Sequence, residues 1–253
     1  MKQRVISGIF IAAITVISVL LGGPVLKAVV TFIALYGSYE FIKIRKDEFN
    51  YILYAIMATA VLCLIYLNKY SMPIILIELI VLMTIAVFDE KESFDEVCST
   101  YLMSILLGYG LYFILYIREL DKFMLGYVLI ISYLTDVFAF FVGIKFGKHK
   151  LNPRVSPKKT IEGSLGGWFF GFATSFLWAS IFDFFGYSAF QIVISSAFLP
   201  LVSEIGDLAF SLIKRHYGVK DFSDLIPGHG GILDRLDSHL FCIILFGVLI
   251  SLF

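Results

Sequence analysis

Charged residues are scarce in this sequence. Asp, Glu, Lys and Arg together make up 16% of its 253 residues, whereas soluble domains usually contain roughly 25%. Cysteine is also rare, and Cys63, Cys98 and Cys242 form no CxxC or Cys/His pattern. These shortages argue against an ordinary soluble domain, a zinc site and a disulfide framework. We interpret the cysteines as small core residues.

Hydrophobic residues, by contrast, make up 59% of the chain, and the mean hydropathy is +0.91. A membrane-spanning helix needs roughly 20 apolar residues, and about nine apolar segments follow one another along this chain. The sequence therefore predicts an all-α fold, a polytopic integral membrane protein with about nine transmembrane helices. The segments run roughly over residues 4–21, 24–43, 50–67, 71–88, 98–117, 123–146, 163–183, 187–213 and 233–253.

Basic residues are distributed unevenly between the two sides that these spans would create. All but four of the 20 Lys and Arg residues fall on the side of the N-terminus. Because positive charge collects in cytoplasmic loops, the N-terminus and the polar loops 147–162 and 214–232 are predicted to be cytoplasmic. The C-terminus should lie on the opposite side. Simple solvated loops also explain the basic cluster 43–46 and the acidic connection 89–96.

Several ionisable side chains nevertheless lie inside the predicted helices of the second half. Such groups are costly in a bilayer and normally mark a functional site or a buried pair. Asp207, Ser211 and Lys214 are three or four residues apart, so they share one helix face. Carboxylates gathered at low dielectric need a counter-charge, either a basic side chain or a bound cation. The acidic residues concerned are Asp136, Glu204, Asp207, Asp234 and Asp237.

Mg²⁺ suits these residues better than Zn²⁺, because they offer carboxylate oxygens and no thiols. A glycine-rich turn containing His229, Gly230 and Gly231 lies beside them, with Lys and Arg residues nearby. No GxxxxGK[ST] motif occurs in the chain, but glycines let backbone N–H groups approach phosphate oxygens. The pattern therefore predicts a magnesium-dependent nucleotide or pyrophosphate site. Such a site could also hold a second, monovalent cation such as K⁺.

Residues 211–237, SLIKRHYGVKDFSDLIPGHGGILDRLD, resemble the signature of the phosphatidate cytidylyltransferases, also called CDP-diacylglycerol synthases, without a departure from the pattern. The loop SPKKTIEG at 156–163 is similar to the family's preceding loop, which usually has an aromatic residue where Ile161 stands. We assign the similarity to the C-terminal half, from about residue 130 onward. On this basis the chain divides into N-terminal transmembrane helices, residues 1–120, and a C-terminal catalytic transmembrane region, residues 121–253.

The resemblance implies that CTP and phosphatidate are converted to CDP-diacylglycerol and pyrophosphate with Mg²⁺ as cofactor. The expected partners are CTP, phosphatidate in the cytoplasmic leaflet and membrane lipids, with no nucleic acid; a homodimer is compatible with this. The implied metal ligands, or neighbours of ligands, are Asp207, Asp234, Asp237 and Asp136, the last being alternatively the buried partner of a base.

The other implied roles fall into two groups. Basic side chains would neutralise the triphosphate and the leaving pyrophosphate, while loop residues would hold the substrates. The residues expected to act in catalysis are Lys214, Arg215, Lys220, Asp221, His229 and Arg235. Those expected to bind substrate are Ser156, Lys158, Lys159, Glu162, Ser211, Gly230 and Gly231.

Two other functions are compatible with parts of the pattern. A CTP-dependent lipid kinase, acting on a polyprenol or phytol, would use the same nucleotide and metal but transfer the γ-phosphoryl group. An ion-coupled transporter would explain intramembrane acids. The acids here lie near one predicted edge of the membrane beside phosphate-binding chemistry, and no inverted pair of broken helices is visible. The sequence therefore favours cytidylyl transfer.

Overall fold

The computed structural model describes residues 2–45, 49–182 and 187–252 of the chain. Within these ranges the backbone forms nine α-helices, one short 3₁₀ helix and a two-stranded antiparallel sheet. The elements are α1 (Lys2–Leu21), α2 (Gly23–Arg45), α3 (Tyr51–Tyr66), the 3₁₀ helix (Asn68–Tyr70), α4 (Ser71–Phe88), α5 (Phe94–Leu120), α6 (Lys122–Phe146), β1 (Lys150–Asn152), β2 (Ser156–Thr160), α7 (Ile161–Ile181), α8 (Ala189–His216) and α9 (Leu233–Leu252).

The helices confirm an all-α polytopic membrane protein but not the expected number of spans. Within the described residues, 6 helices are long and apolar enough to cross a membrane. Helix α3 has 16 residues, which at 1.5 Å per residue extend about 24 Å, short of a hydrocarbon core of about 30 Å. The described apolar part of α1 is similarly short, and α7, a helix of 21 residues that contains several glycines and serines, is not one of the six.

The polar loop at 147–162 contains a β-hairpin that the sequence did not predict. Strands β1 and β2 pair antiparallel, with Lys150 opposite Thr160 and Asn152 opposite Ser156. The Thr160 hydroxyl accepts a hydrogen bond from the Gly163 amide at 3.1 Å and so caps the start of α7. The hairpin therefore continues directly into a helix, which fixes the direction of the Lys159 side chain.

Residues Met1–Leu115 and Asp221–Asp234 form one unit of the structure. The glycine-rich turn thus belongs with the N-terminal helices, although it was assigned to the region 121–253 by sequence. In this unit Arg45 is buried and its guanidinium lies 2.8 Å from Glu92. Glu92 is also buried, so the acidic connection, expected to be solvated, contributes an internal ion pair. Lys46, at the end of the basic cluster, lies outside the described residues.

Residues Tyr116–Lys220 and Arg235–Phe253 form the second unit. Buried glycines recur every fourth residue along α7, and they let α6 approach closely. A Cβ atom added at Gly163 would lie 2.7 Å from the carbonyl oxygen of Ala139, and one at Gly167 would lie 2.7 Å from that of Thr135. Small residues at this spacing are a usual means of bringing membrane helices together. The close contact fixes the segment of α6 that carries Asp136.

Candidate active site

The glycine-rich turn of the first unit is a tight reversal of the chain. The Ile226 amide donates to the Gly230 carbonyl at 2.9 Å, and the His229 amide donates to the Ile226 carbonyl at 2.8 Å. Gly228 and Gly230 have φ angles of 78° and 79°, values that residues with a side chain rarely adopt. The turn itself therefore requires glycine at both positions, independently of any ligand.

Asp234 holds the turn through backbone hydrogen bonds. Its Oδ2 atom accepts from the Phe222 amide at 2.7 Å and from the Gly231 amide at 2.9 Å. The residue is 4% exposed, so these bonds form away from solvent, where an unsatisfied amide would be costly. Asp234 is thus an organiser of the turn, and its expected role at a metal remains a prediction.

Glu40 of α2 is a second carboxylate on the same turn, and the sequence analysis did not identify it. One of its oxygens accepts from the Ser223 hydroxyl at 2.6 Å and from the Ile232 amide at 2.9 Å. The other accepts from the Leu233 amide at 2.9 Å. Glu40 is completely buried. The only sequence signal was a carboxylate inside an apolar span, and its position next to basic residues made it resemble a membrane-edge residue.

His229 contacts α1 through Ser7. The Ser7 hydroxyl donates to the Pro227 carbonyl at 3.1 Å and lies 2.8 Å from Nδ1 of His229. The single proton of the Ser7 hydroxyl can go to only one of these two acceptors at a time, so the direction of its contact with Nδ1 depends on the tautomer of His229. The contact links the glycine-rich turn to α1 in either case. Ser7 was also missed by sequence, since nothing local relates it to a residue so distant in the chain.

The second unit gathers the acids of α6, α8 and the part of α9 after Arg235. Asp207 Oδ2 lies 2.5 Å from the Lys159 ammonium, and Asp237 Oδ2 lies 4.0 Å from the Lys214 ammonium. Glu204 accepts a hydrogen bond from Ser164 of α7. These contacts bring together groups that the sequence placed on separate segments.

Hydroxyl groups surround Asp136 in this unit. Ser238 donates to Asp136 Oδ2 at 2.8 Å, and Ser132 lies 3.0 Å from both Ser203 and Ser238. Ser132, Ser203 and Ser238 are all buried. The structure gives Asp136 a serine hydroxyl as a hydrogen-bond partner, and both of its expected roles, at a metal or beside a base, remain predictions. This hydroxyl network was not predicted, because serine is common in membrane helices for packing alone.

The hairpin contributes Lys159 to the acid cluster. Burial by itself would lower the pKa of Lys159, but the nearby carboxylates, Asp207 first, outweigh that effect and raise this pKa. The ammonium is therefore charged at neutral pH. Lys158, the next residue along the strand, is exposed, and Ser156 is half-buried. The two lysines expected to act together thus lie in different surroundings.

Glu162 has a partner that the sequence did not suggest. Its carboxylate accepts from the backbone amides of Lys148 and His149 at 3.0 and 3.1 Å, and Nδ1 of His149 lies 2.6 Å away. These bonds, that to the His149 ring first, lower the pKa of Glu162 to about 2. Glu162 therefore closes the hairpin onto the start of α7, and a role in holding a lipid headgroup remains a prediction.

The remaining predicted residues are mostly exposed. Lys214 is buried and faces Asp237, whereas Arg215 is exposed and donates to the Val219 carbonyl at 2.9 Å. Ser211 lies 3.4 Å from Asp207, on the helix face that its spacing predicted. Exposed charged side chains at the ends of α8 and α9 are available to a soluble ligand. They are Lys220, Asp221 and Arg235.

The residues of the second unit fit a magnesium ion in kind and in charge. The donors are carboxylate and hydroxyl oxygens, which Mg²⁺ prefers. Asp136, Glu204, Asp207 and Asp237 outnumber the lysines that contact them, so a cation would offset the excess charge. As they stand, no three His, Cys, Asp or Glu side chains in the described parts of the chain converge closely enough to hold a metal ion.

The fold and these charges define a helical membrane protein that concentrates ionised side chains beside its apolar helices. The comparisons with known proteins give the family. The model of the cytidylyltransferase family matches residues 2–253. The chain belongs to this family.

Individual relatives match over nearly their whole length. Phosphatidate cytidylyltransferase of Bacillus subtilis is 31% identical over 273 residues, covering 100% of this chain and 98% of that protein. The Staphylococcus aureus protein of the same name is 33% identical, with 99% of each chain covered. That of Thermotoga maritima is 30% identical, covering 95% of this chain and 93% of the relative. The similarity therefore extends through the N-terminal helices, and its restriction to residues beyond about 130 was wrong.

Proposed function

We propose that this protein is a phosphatidate cytidylyltransferase, which converts CTP and phosphatidate to CDP-diacylglycerol and pyrophosphate. The observation that carries the proposal is the segment 211–237, which follows the family signature without a departure and contributes to both units of the structure. The full-length similarity to relatives bearing that name supports it. A lipid headgroup and a soluble triphosphate also explain why charges gather beside apolar helices.

In the proposed reaction a phosphate oxygen of phosphatidate attacks the α-phosphorus of CTP. A new phosphorus–oxygen bond forms as the bond between the α-phosphorus and the bridging oxygen to the β-phosphate breaks. Pyrophosphate carries away the electron pair. Because the nucleophile is already an anion, the protein needs no strong general base. Its task is to position the two phosphates and to stabilise the developing charge.

The cationic side chains fit this task. Lys214, Arg215 and Lys220 lie at or beyond the end of α8, where they would bind the triphosphate and the leaving pyrophosphate. Lys159, which is charged and held beside Asp207, would orient that carboxylate, and the exposed Lys158 would bind the phosphatidate headgroup.

We further propose Mg²⁺ as the cofactor, held by the carboxylates of the second unit. Asp207 and Asp237 are the first candidates as ligands, because they lie on α8 and α9 beside the cationic residues of the signature. When bound, the ion would neutralise phosphate charge and favour departure of pyrophosphate. Asp136, fixed by Ser238, would lie close to such an ion. A second monovalent ion, such as K⁺, is compatible with the same excess of carboxylates.

The orientation in the membrane is part of the proposal. We place the N-terminus and the loops 147–162 and 214–232 in the cytoplasm, with phosphatidate entering from the cytoplasmic leaflet. The positive charge of both loops supports this. In sealed inside-out vesicles, a Lys158→Cys variant should react with a membrane-impermeant thiol reagent, whereas Lys122→Cys should not. The opposite pattern would invert the topology.

Label transfer tests the function directly. Purified protein in detergent would receive Mg²⁺, phosphatidate and CTP labelled at either the α- or the γ-phosphate. We expect the α-label in a lipid product and the γ-label in released pyrophosphate, both lost in an Asp207→Asn variant. Transfer of the γ-label to an offered polyprenol would instead support the lipid kinase. No label in any lipid, from a folded sample, would contradict both and leave the transporter.

A further inference from the structure

A buried carboxylate of α2 accepts hydrogen bonds from residues on both sides of the glycine-rich turn. Glu40 accepts from the Ser223 hydroxyl and from the amides of Ile232 and Leu233, at 2.6, 2.9 and 2.9 Å. All four residues lie in the first unit. Glu40 is 0% exposed, so water does not compete for these bonds. These hydrogen bonds, between segments far apart in sequence, hold the glycine-rich turn beside one position of α2.

The contact suits an ionised carboxylate. Both amides are obligate donors, and the serine hydroxyl donates its proton to the same oxygen that the Ile232 amide reaches. An ionised carboxylate only accepts, which matches these three donors. Hydrogen bonds to an ionised acceptor are also about twice as strong as neutral ones.

The location at the start of α9 adds to this effect. Helix α9 begins at Leu233, and the first amides of a helix have no partner within the helix. Glu40 therefore serves as an N-terminal cap supplied by another helix. The partial positive charge of the helix N-terminus favours an anion at this place. The contact thus fixes the beginning of α9, next to Asp234.

The same carboxylate lies against Gly231 and leaves no room there for a side chain. A Cβ atom added at Gly231 would lie 2.7 Å from both Cδ and Oε2 of Glu40, closer than real side-chain contacts. Gly231 was expected to admit substrate phosphates to the backbone. The close approach of Glu40 is a separate reason why this position must be glycine, because any side chain here would collide with the carboxylate.

We infer that Glu40 is a positioning residue of the active site: its carboxylate holds residues 231–233, and through them Asp234 and the start of α9, in the arrangement needed for turnover. This inference rests on the proposed function, since it assigns the turn to catalysis. Glu40 need not touch either substrate. It acts by fixing backbone groups, so its loss should change the rate of the reaction more than the affinity for CTP.

The test uses the isosteric variant Glu40→Gln. In either orientation of the amide its NH₂ group faces a donor, so at least one hydrogen bond is lost. We expect kcat to fall about 10- to 100-fold, because a small displacement of catalytic groups has an effect of that size, with KM for CTP changed less than about threefold. Hydrogen–deuterium exchange in detergent should rise at least about tenfold at the amides of residues 231–233, since those protons lose their acceptor.

Two further variants separate positioning from charge and from general stability. Glu40→Asp keeps the charge but shortens the side chain, so it should behave like Glu40→Gln. Glu78→Gln is the matched control, because Glu78 is a buried carboxylate of the same unit, on α4; its turnover and exchange at 231–233 should stay within about twofold of the unaltered protein. Ser223→Ala, a milder change, should give an intermediate exchange rate.

Specific outcomes would overturn the inference. Glu40→Gln with turnover within twofold of the unaltered protein would show that the contact is not needed for positioning. A loss of turnover with unchanged exchange at 231–233, or one rescued by Glu40→Asp, would show that the charge itself acts. If the unaltered protein shows no cytidylyl transfer, the proposed function fails, and the exchange measurements still decide whether Glu40 holds the turn.

Discussion

The carboxylate side chains of the two units have different partners. In the first unit, Glu40 and Asp234 accept hydrogen bonds from backbone amides and are buried. In the second unit, Asp207 and Asp237 face lysine ammonium groups and retain partial exposure. Carboxylates bonded to backbone donors define the shape of a loop, whereas carboxylates that face lysine side chains and are partly exposed could be reached by a ligand. We therefore propose that the type of partner distinguishes carboxylates that hold the structure of the site from those that would bind a ligand.

The largest expected effect is that of Asp207→Asn in the second unit. We expect turnover to fall about 100- to 1,000-fold, as is typical when one group that stabilises developing charge is removed. The melting temperature in detergent should stay within a few degrees, because relief of repulsion among the acids offsets the lost contact with Lys159. Near-normal turnover would remove Asp207 from the proposed metal site. Lys43→Ala, which changes only the basic cluster, is the control and should retain activity.

The next effect sharpens the contrast, because Asp234→Ala should damage both structure and activity. Removing its oxygens leaves the Phe222 and Gly231 amides without this acceptor, at about 1–3 kcal/mol for each donor that stays unsatisfied. Turnover should fall about 100-fold. Unlike Asp207→Asn, the variant should melt several degrees lower. If Asp234→Ala lost activity at an unchanged melting temperature, the proposed distinction would be wrong: Asp234 would then act on a ligand and not by holding the turn.

A smaller effect is expected for Ser7→Ala in α1. The change removes the hydroxyl that lies 2.8 Å from Nδ1 of His229 and bonds to the Pro227 carbonyl, so we expect a fall in turnover of about tenfold, because the His229 ring loses this partner. Thr15→Val is the matched control, because the Thr15 hydroxyl bonds within α1, to the Ile11 carbonyl. Equal activities of the two variants would mean that the contact with His229 has no catalytic consequence.

The smallest expected effect concerns the half-buried Glu162. Its pKa is lowered to about 2, so the contribution of the ionised carboxylate is present above its ordinary pKa of 4.5 and is lost as the pH falls toward 2. Amide exchange of Lys148 and His149 should be faster in Glu162→Gln than in the unaltered protein at pH 6. The difference should vanish near pH 2, after correction for intrinsic exchange. A difference that persists there would contradict this assignment.

The sequence predicted the helices well, because hydropathy is a property of contiguous residues. The segment expected at 24–43 is Gly23–Arg45, and that expected at 163–183 is Ile161–Ile181. The number of spans is not confirmed, since a helix of a membrane protein need not cross the membrane. The hairpin escaped notice because its strands are short and polar, so they show no alternation of apolar residues.

The signature predicts which segments bind the ligands, and this stays a prediction; it does not indicate what each carboxylate contacts. Asp207 and Asp234 look alike in the sequence, and only the folded chain shows that one faces Lys159 and the other faces amides. Glu40 and Ser7 could not be found by spacing, because they act on residues 183 and 222 positions later. Contacts over such distances depend on helix packing, which a local pattern does not encode.

The cap on α9 also has a consequence for the order in which the protein is made. Glu40 enters the membrane with α2, 183 residues before Ser223 leaves the ribosome, which at roughly 5–20 residues per second corresponds to about 10 to 40 seconds. Helices α3 to α8 are synthesised during that interval. Glu40 can hold the turn only after Leu233 has been made, so we expect a chain terminated before that residue to insert into the bilayer but to remain inactive.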